Sequence, residues 1–135
     1  MTKKLECILL IDDDLEDSFF HKIVIDRMNI ANCVQVAING LEALEYLKDG
    51  DKPTPELIFL DINMPKMNGW EFLEEYKHLD PQQKARITIL MLTTSINPAD
   101  IRRAQQIQDV TGYNTKPLSL EMLTDIMEKH FPEYL

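Results

Sequence analysis

Two periods of apolar patterning take turns along this chain. Short apolar or β-branched runs recur at Cys7–Ile11, Cys33–Ile38, Leu57–Leu60, Ile87–Leu92 and Thr111–Thr115. Between them the apolar residues fall at helical spacing, which predicts amphipathic helices. The first helix carries Phe19, Phe20, Ile23, Val24 and Met28. The second carries Leu41, Leu44 and Leu47, starts after the Asn39-Gly40 turn and stops near Gly50. A third carries Phe72, Leu73, Tyr76 and Leu79 and closes at Asp80-Pro81. The fourth begins near Pro98, where proline is tolerated in a first turn, with Asn97 as its N-cap. The last carries Leu120, Leu123, Ile126 and Met127 behind a Ser119 cap.

Strands that alternate with helices predict βαβ units and an α/β fold with a parallel five-stranded sheet. The third and fourth strands are almost continuously apolar, as expected of strands covered by helices on both faces. A chain of 135 residues suits one domain with one core, so residues 1–135 read as a single doubly wound domain. The last helix uses up the chain, which leaves no expected room for a separate output domain.

The polar residues at the strand ends carry the chemistry. Asp12-Asp13-Asp14 follows the first strand, Asp61 the third, Thr93 the fourth and Lys116-Pro117 the fifth. In an open parallel sheet, ligands sit outside the carboxyl ends of the strands where the strand order reverses. Two carboxylates about 5 Å apart repel by roughly 3 kcal/mol at an effective dielectric of about 20. Such a cluster therefore holds a proton or binds a cation. Oxygen donors of this kind suit Mg²⁺, which keeps several waters and is completed by phosphate oxygens. With Lys116 and the Thr93 hydroxyl near, Asp61 becomes a workable nucleophile toward phosphorus. The metal pair can be read as Asp12-Asp13 or one residue later. Thr93 and Thr94 are alternatives of the same kind. For Asp14, Glu16 and Asp17 the expected role is to complement the dipole of a first helical turn.

Charge narrows the function classes. Lys and Arg number 14 against 23 Asp and Glu, a net charge of −9, which argues against non-specific nucleic-acid binding. No apolar run approaches the ~20 residues that span a membrane, and the Met1-Thr2-Lys3-Lys4 start leads into no signal peptide. A cytoplasmic location is expected. Cys7 and Cys33, the only cysteines, offer no metal-ligand spacing and no disulfide framework, and read as small buried hydrophobes in a reducing compartment. His21, His78 and His130 are isolated and expected at ordinary surface or helix positions, and Trp70 at the site's rim or in the core.

Taken together, Asp12-Asp13, Asp61 with Met64-Pro65 and Gly69, Thr93, Tyr113 and Lys116-Pro117 closely resemble the response regulator receiver domain of two-component signalling, over essentially the whole chain. The resemblance implies the strand order 2-1-3-4-5. It implies that Asp61 is the phosphoacceptor and that Asp13, Asp61 and the backbone carbonyl of Asn63 bind Mg²⁺, with Asp12 acting through metal-bound water. Thr93 and Lys116 would contact the phosphoryl group, and Tyr113 would be the aromatic switch. The Lys116-Pro117 bond is usually cis in that family. Where the family often has Gly-Ala before the fifth strand, this chain has Asp109-Val110.

The implied function is a phosphorylation-controlled signalling switch that modifies itself and is not an enzyme on an external substrate. A histidine kinase or phosphotransfer protein would supply the phosphoryl group. A downstream protein target, or a second copy in a homodimer, would use the face of the fourth helix, fifth strand and fifth helix, which carries Arg102-Arg103 and Gln105-Gln106. An aspartyl-phosphate hydrolase of the haloacid dehalogenase type is the main alternative. Its nucleophile follows the first strand, with a second Asp two residues on, whereas position 63 here is Asn. A flavodoxin-like cofactor binder would need a phosphate cradle where three aspartates stand. A scaffold that has lost phosphorylation is disfavoured by the complete residue set.

Overall fold

The alternation of periods becomes a five-stranded parallel sheet in a computed structural model, which describes residues 4–84 and 86–134. The strands are β1 (Ile8–Ile11), β2 (Val34–Ala37), β3 (Leu57–Leu60), β4 (Thr88–Thr93) and β5 (Val110–Thr115). Their order is β2-β1-β3-β4-β5, as the resemblance implied. The helices are α1 (Leu15–Met28), α2 (Gly40–Lys48), α3 (Gly69–Tyr76), a single turn α4 (Pro81–Lys84), α5 (Pro98–Gln105) and α6 (Leu120–His130), and a 3-10 turn at Pro132–Tyr134 follows. The α4 turn was not expected, so the fourth and fifth helices read from the sequence are α5 and α6. The expected Met1-Thr2-Lys3 start lies outside the described residues.

Both faces of the sheet are covered, as the apolar strands required. Successive residues of a strand point to opposite faces. Ile8, Leu10, Leu57, Phe59, Leu90 and Leu92 pack under α1 and α6 with Val24, Ile25, Leu123 and Met127. Leu9, Ile11, Ile58, Leu60, Ile89 and Met91 pack under α2, α3 and α5 with Leu44, Phe72, Leu73, Tyr76 and Ala104.

Helix α1 departs from the expected pattern. Phe19 (69% exposed), Phe20 and Ile23 face outward, and the buried face is Ser18, His21, Val24 and Ile25. His21, expected at an ordinary position, is 2% exposed. Apolar residues surround this helix on nearly every side, so its sequence defines no single stripe. Asp14 caps the start by accepting from the Glu16 and Asp17 amides, and Met28 packs inward at the last turn.

Candidate functional site

The chemistry-bearing residues are fixed by backbone bonds that continue the sheet beyond its strands. The Asp12 amide donates to Ala37 O at 2.9 Å, the Asp61 amide to Ile11 O at 3.0 Å, and the Lys116 amide to Thr93 O at 2.8 Å. Each residue is thus one step past a strand end, at the carboxyl edge of the sheet. The reversal of strand order lies between β1 and β3. Asp12 and Asp61 flank it.

There the side chains converge. Carboxylate oxygens of Asp12, Asp13 and Asp61 lie within 4.8 Å of one another. The Lys116 ammonium sits among them, 2.6 Å from Asp12 Oδ2 and 3.1 Å from Asp61 Oδ2. A third carboxylate, Asp17 Oδ2, reaches it at 2.8 Å. Sequence reasoning missed Asp17 by treating it as a first-turn acid. Its helical phase was the available signal: Asp17, His21, Val24 and Met28 share one inward stripe of α1.

Burial and charge oppose each other at this site. Asp12 is 5% exposed, and burial pushes its carboxyl up to about 6, against the pull of the Lys116 hydrogen bond and the Asp14 amide. Burial works to lower the Lys116 ammonium, but hydrogen bonds to Asp12 and Asp17 and the charge of Asp61 more than offset it, so the net shift is upward. Lys116 therefore stays charged and acts as the site's built-in counter-ion. His21 lies behind the cluster, lining a small cavity with Asp12, Phe59 and Leu92. Burial and the Lys116 charge hold its imidazole below the ordinary value.

The remaining expected residues fall around this centre. Thr93 ends β4, is 1% exposed and accepts from the Ser95 amide, while Thr94 is exposed. Asn63 lies two residues beyond Asp61 and is exposed. Tyr113 is half-buried and does not meet the acids; its hydroxyl donates to Ser95 O at 2.8 Å. The Lys116-Pro117 bond is cis. At Asp109-Val110, where the expected loop differed, the β4–β5 register shifts after Ile89 so that Leu90 faces Gly112 and Met91 faces Tyr113. The displaced Thr111 returns its hydroxyl to Ile89 O.

Gly69 has a physical reason to follow Asp61. A Cβ on it would run into the carbonyl oxygen of Asp61 and lie 3.1 Å from Ile62 Cα. Its amide donates to Ile62 O at 2.8 Å, which closes the loop between β3 and α3 onto the site. Asn68 and Glu71 then start α3 with a capping box.

Comparison with known proteins agrees with this geometry. The family model for the response regulator receiver domain matches residues 8–128. The response regulator Rcp1 of Synechocystis sp. is 34% identical over 125 residues, which cover 90% of this chain and 83% of that protein. The sensor histidine kinase CheAY of Helicobacter pylori is 34% identical over 122 residues, but the match spans only 14% of its length. A two-component response regulator from Cytophaga hutchinsonii superposes with a TM-score of 0.83 at 30% identity, covering 94% of this chain and 97% of its own. The Mn²⁺-bound form of Rcp1 superposes with a TM-score of 0.75 at 33% identity, covering 96% of each chain. With the fold, the strand-end residues and these matches in agreement, the chain belongs to the response regulator receiver domain family.

Proposed function

We propose that this chain is a single receiver domain over residues 1–135 that works as a phosphorylation-controlled switch, with Asp61 as the phosphoacceptor. The observation that carries the reading is the cluster itself: three carboxylates within 4.8 Å of one another, with an ammonium 3.1 Å from Asp61 Oδ2. The donor set fits a hard divalent cation, because all its protein ligands are oxygens and their mutual repulsion favours one. Asp13, Asp61 and the Asn63 carbonyl would hold Mg²⁺, with Asp12 engaging a metal-bound water. When bound, the ion neutralises charge on the phosphoryl oxygens and on Asp61. The Mn²⁺-bound Rcp1 supports divalent binding in a relative of this size.

Asp61 then attacks phosphorus, and the donor's phosphorus–nitrogen bond breaks. Lys116 is placed to exchange its Asp61 contact for a phosphoryl oxygen, and Thr93 to donate its hydroxyl to another. A histidine kinase or phosphotransfer protein is the natural donor, and the encounter would take place in the cytoplasm. The domain promotes its own phosphorylation and hydrolysis and turns over no external substrate.

The output follows from Thr93. Its backbone leads within two residues to Ser95, whose carbonyl holds the Tyr113 hydroxyl. Movement of Thr93 toward the phosphoryl group disturbs that bond and frees Tyr113. Only Ala104 of α5 is buried, so this helix is loosely anchored and can shift with the loop before it. The α5–β5–α6 face would then bind a downstream protein or a second copy of the chain. Incubation with Mg²⁺ and acetyl phosphate tests the chemistry by intact mass. One metal-dependent phosphoryl adduct is expected, absent in Asp61→Asn. An adduct that persists in Asp61→Asn would overturn the assignment.

A further inference from the structure

Cys7 and Cys33 are separated by a whole βα unit in sequence, but the sheet makes them neighbours. Ile8 pairs with Val34 across β1 and β2, so the residues just before each strand lie side by side. The Ile8 amide donates to Cys33 O at 2.9 Å, which fixes that alignment. Adjacent strands are about 4.8 Å apart, inside the Cα separation that a disulfide spans. The two sulfurs lie 2.8 Å apart, within a shared S–H···S contact. Both cysteines are free thiols. The pair sits at the amino edge of the sheet, opposite the aspartate cluster.

We propose that Cys7 and Cys33 are a reversible oxidation site, closing to an intramolecular disulfide when the protein meets a peroxide. The two sulfurs have unequal access, which orders the chemistry. Cys7 is 0% exposed and burial pushes its thiol up to about 12, with Tyr46 Oη 3.6 Å from its sulfur. Cys33 is half-buried, with the Gln35 amide 3.5 Å from its sulfur. Cys33 therefore meets the oxidant. Its sulfur attacks one oxygen of hydrogen peroxide, the O–O bond breaks, and a water leaves with the thiol proton. Cys33 becomes a sulfenic acid, oxidised by two electrons. The Cys7 sulfur then attacks that sulfur: the S–O bond breaks, the S–S bond forms, and a second water leaves with the Cys7 proton. Two thiols and one peroxide give one disulfide and two waters. The closed loop runs from Cys7 to Cys33 and contains Asp12, Asp13 and all of α1. It would tie β1 to β2 at the start of both strands.

The test treats the folded protein with hydrogen peroxide, then alkylates it under denaturing conditions and records intact mass and peptide maps. The expected product is monomeric, two hydrogens lighter, unalkylated, linked Cys7 to Cys33, and restored by dithiothreitol. Its thermal midpoint should exceed that of the reduced protein by about 5 °C or more, because the cross-link restricts the unfolded chain. In Cys7→Ser the sulfenic acid on Cys33 should persist long enough to be trapped by dimedone, and in Cys33→Ser the buried Cys7 should stay reduced. Two alkylated thiols after peroxide, a disulfide between chains, or over-oxidation of Cys33 beside an alkylated Cys7 would each overturn the proposal.

Discussion

At the scale of single residues, Lys116 is the organising charge, and Asp17 is the contact that sets this site apart from a bare acidic cluster. Asp17 gives Lys116 a third carboxylate partner, 2.8 Å away. That partner draws part of the ammonium's attraction away from Asp12 and Asp61 and adds its own negative charge beside the cation site. Replacing Asp17 by Asn should therefore weaken Mg²⁺ binding, by about 1 kcal/mol or less given the partial exposure of Asp17, or up to roughly fivefold in affinity. Calorimetric titration with Mg²⁺ measures this, and tighter binding in Asp17→Asn would refute it. Asp12 gives a second residue-level outcome. Its folded carboxyl titrates near 6, above the ordinary carboxylate value of 3.8. Between those values the folded protein binds more protons at Asp12 than the unfolded chain does, so Asp12's own contribution to the stability of the metal-free protein falls as pH rises from about 4 to about 6. Mg²⁺ favours the ionised form, so its affinity should rise across the same window. Urea unfolding in a chelator, taken as the difference between wild type and Asp12→Asn, and Mg²⁺ titration of wild type, both followed against pH, should show these opposite slopes.

At the scale of elements, what the sequence revealed depended on how much neighbours matter. All five strands were legible to within one residue at each end, because buried apolar runs bounded by turn residues have few alternative readings. The strand-end residues were legible for the same reason. Helix α1 was not: its seven apolar residues, Leu15, Phe19, Phe20, Ile23, Val24, Ile25 and Met28, surround it. Which of them face the sheet is decided by tertiary packing, the reach of Asp17 to Lys116 included. The same gap hid the burial of His21 and the contact of Asp17. The Cys7–Cys33 pair was invisible until strand order was known, since adjacency across β1 and β2 leaves no trace in spacing. Gly69 shows the reverse case, where a motif glycine gains a reason from geometry. Gly69→Ala forces the first turn of α3 away from the Asp61 carbonyl. It should cost about 1–3 kcal/mol of stability in urea unfolding. At temperatures where the variant is folded, acetyl phosphate labelling of Asp61 should also slow. Wild-type stability in Gly69→Ala would show that the loop yields without strain.

At the scale of the molecule, the two edges of the sheet are built differently. The amino edge is tied down: Glu56, 8% exposed, accepts the Glu6 amide at 2.9 Å and the Tyr134 hydroxyl at 2.7 Å, and so fastens the last described turn beneath the strands. The carboxyl edge holds like charges together with one ammonium among them, and is held by the fold against its own electrostatics. Function at that edge therefore costs stability until a cation arrives. Asp13 allows this to be measured, because its side chain is exposed and supports no packing. Asp13→Asn removes one of the three clustered carboxylates. In a chelator it should be more stable than wild type, by about 1 kcal/mol at the screened dielectric of an exposed site. In Mg²⁺ the ranking should invert. Wild type gains RT ln(1 + [Mg²⁺]/Kd), about 1.4 kcal/mol at ten times Kd, while the variant, lacking a ligand, gains little. Denaturant unfolding of both proteins, with and without Mg²⁺, gives the four values needed. If Asp13→Asn were less stable than wild type in the chelator, the acidic edge would be supporting the fold, and its carboxylates could not be read as strain held ready for a metal.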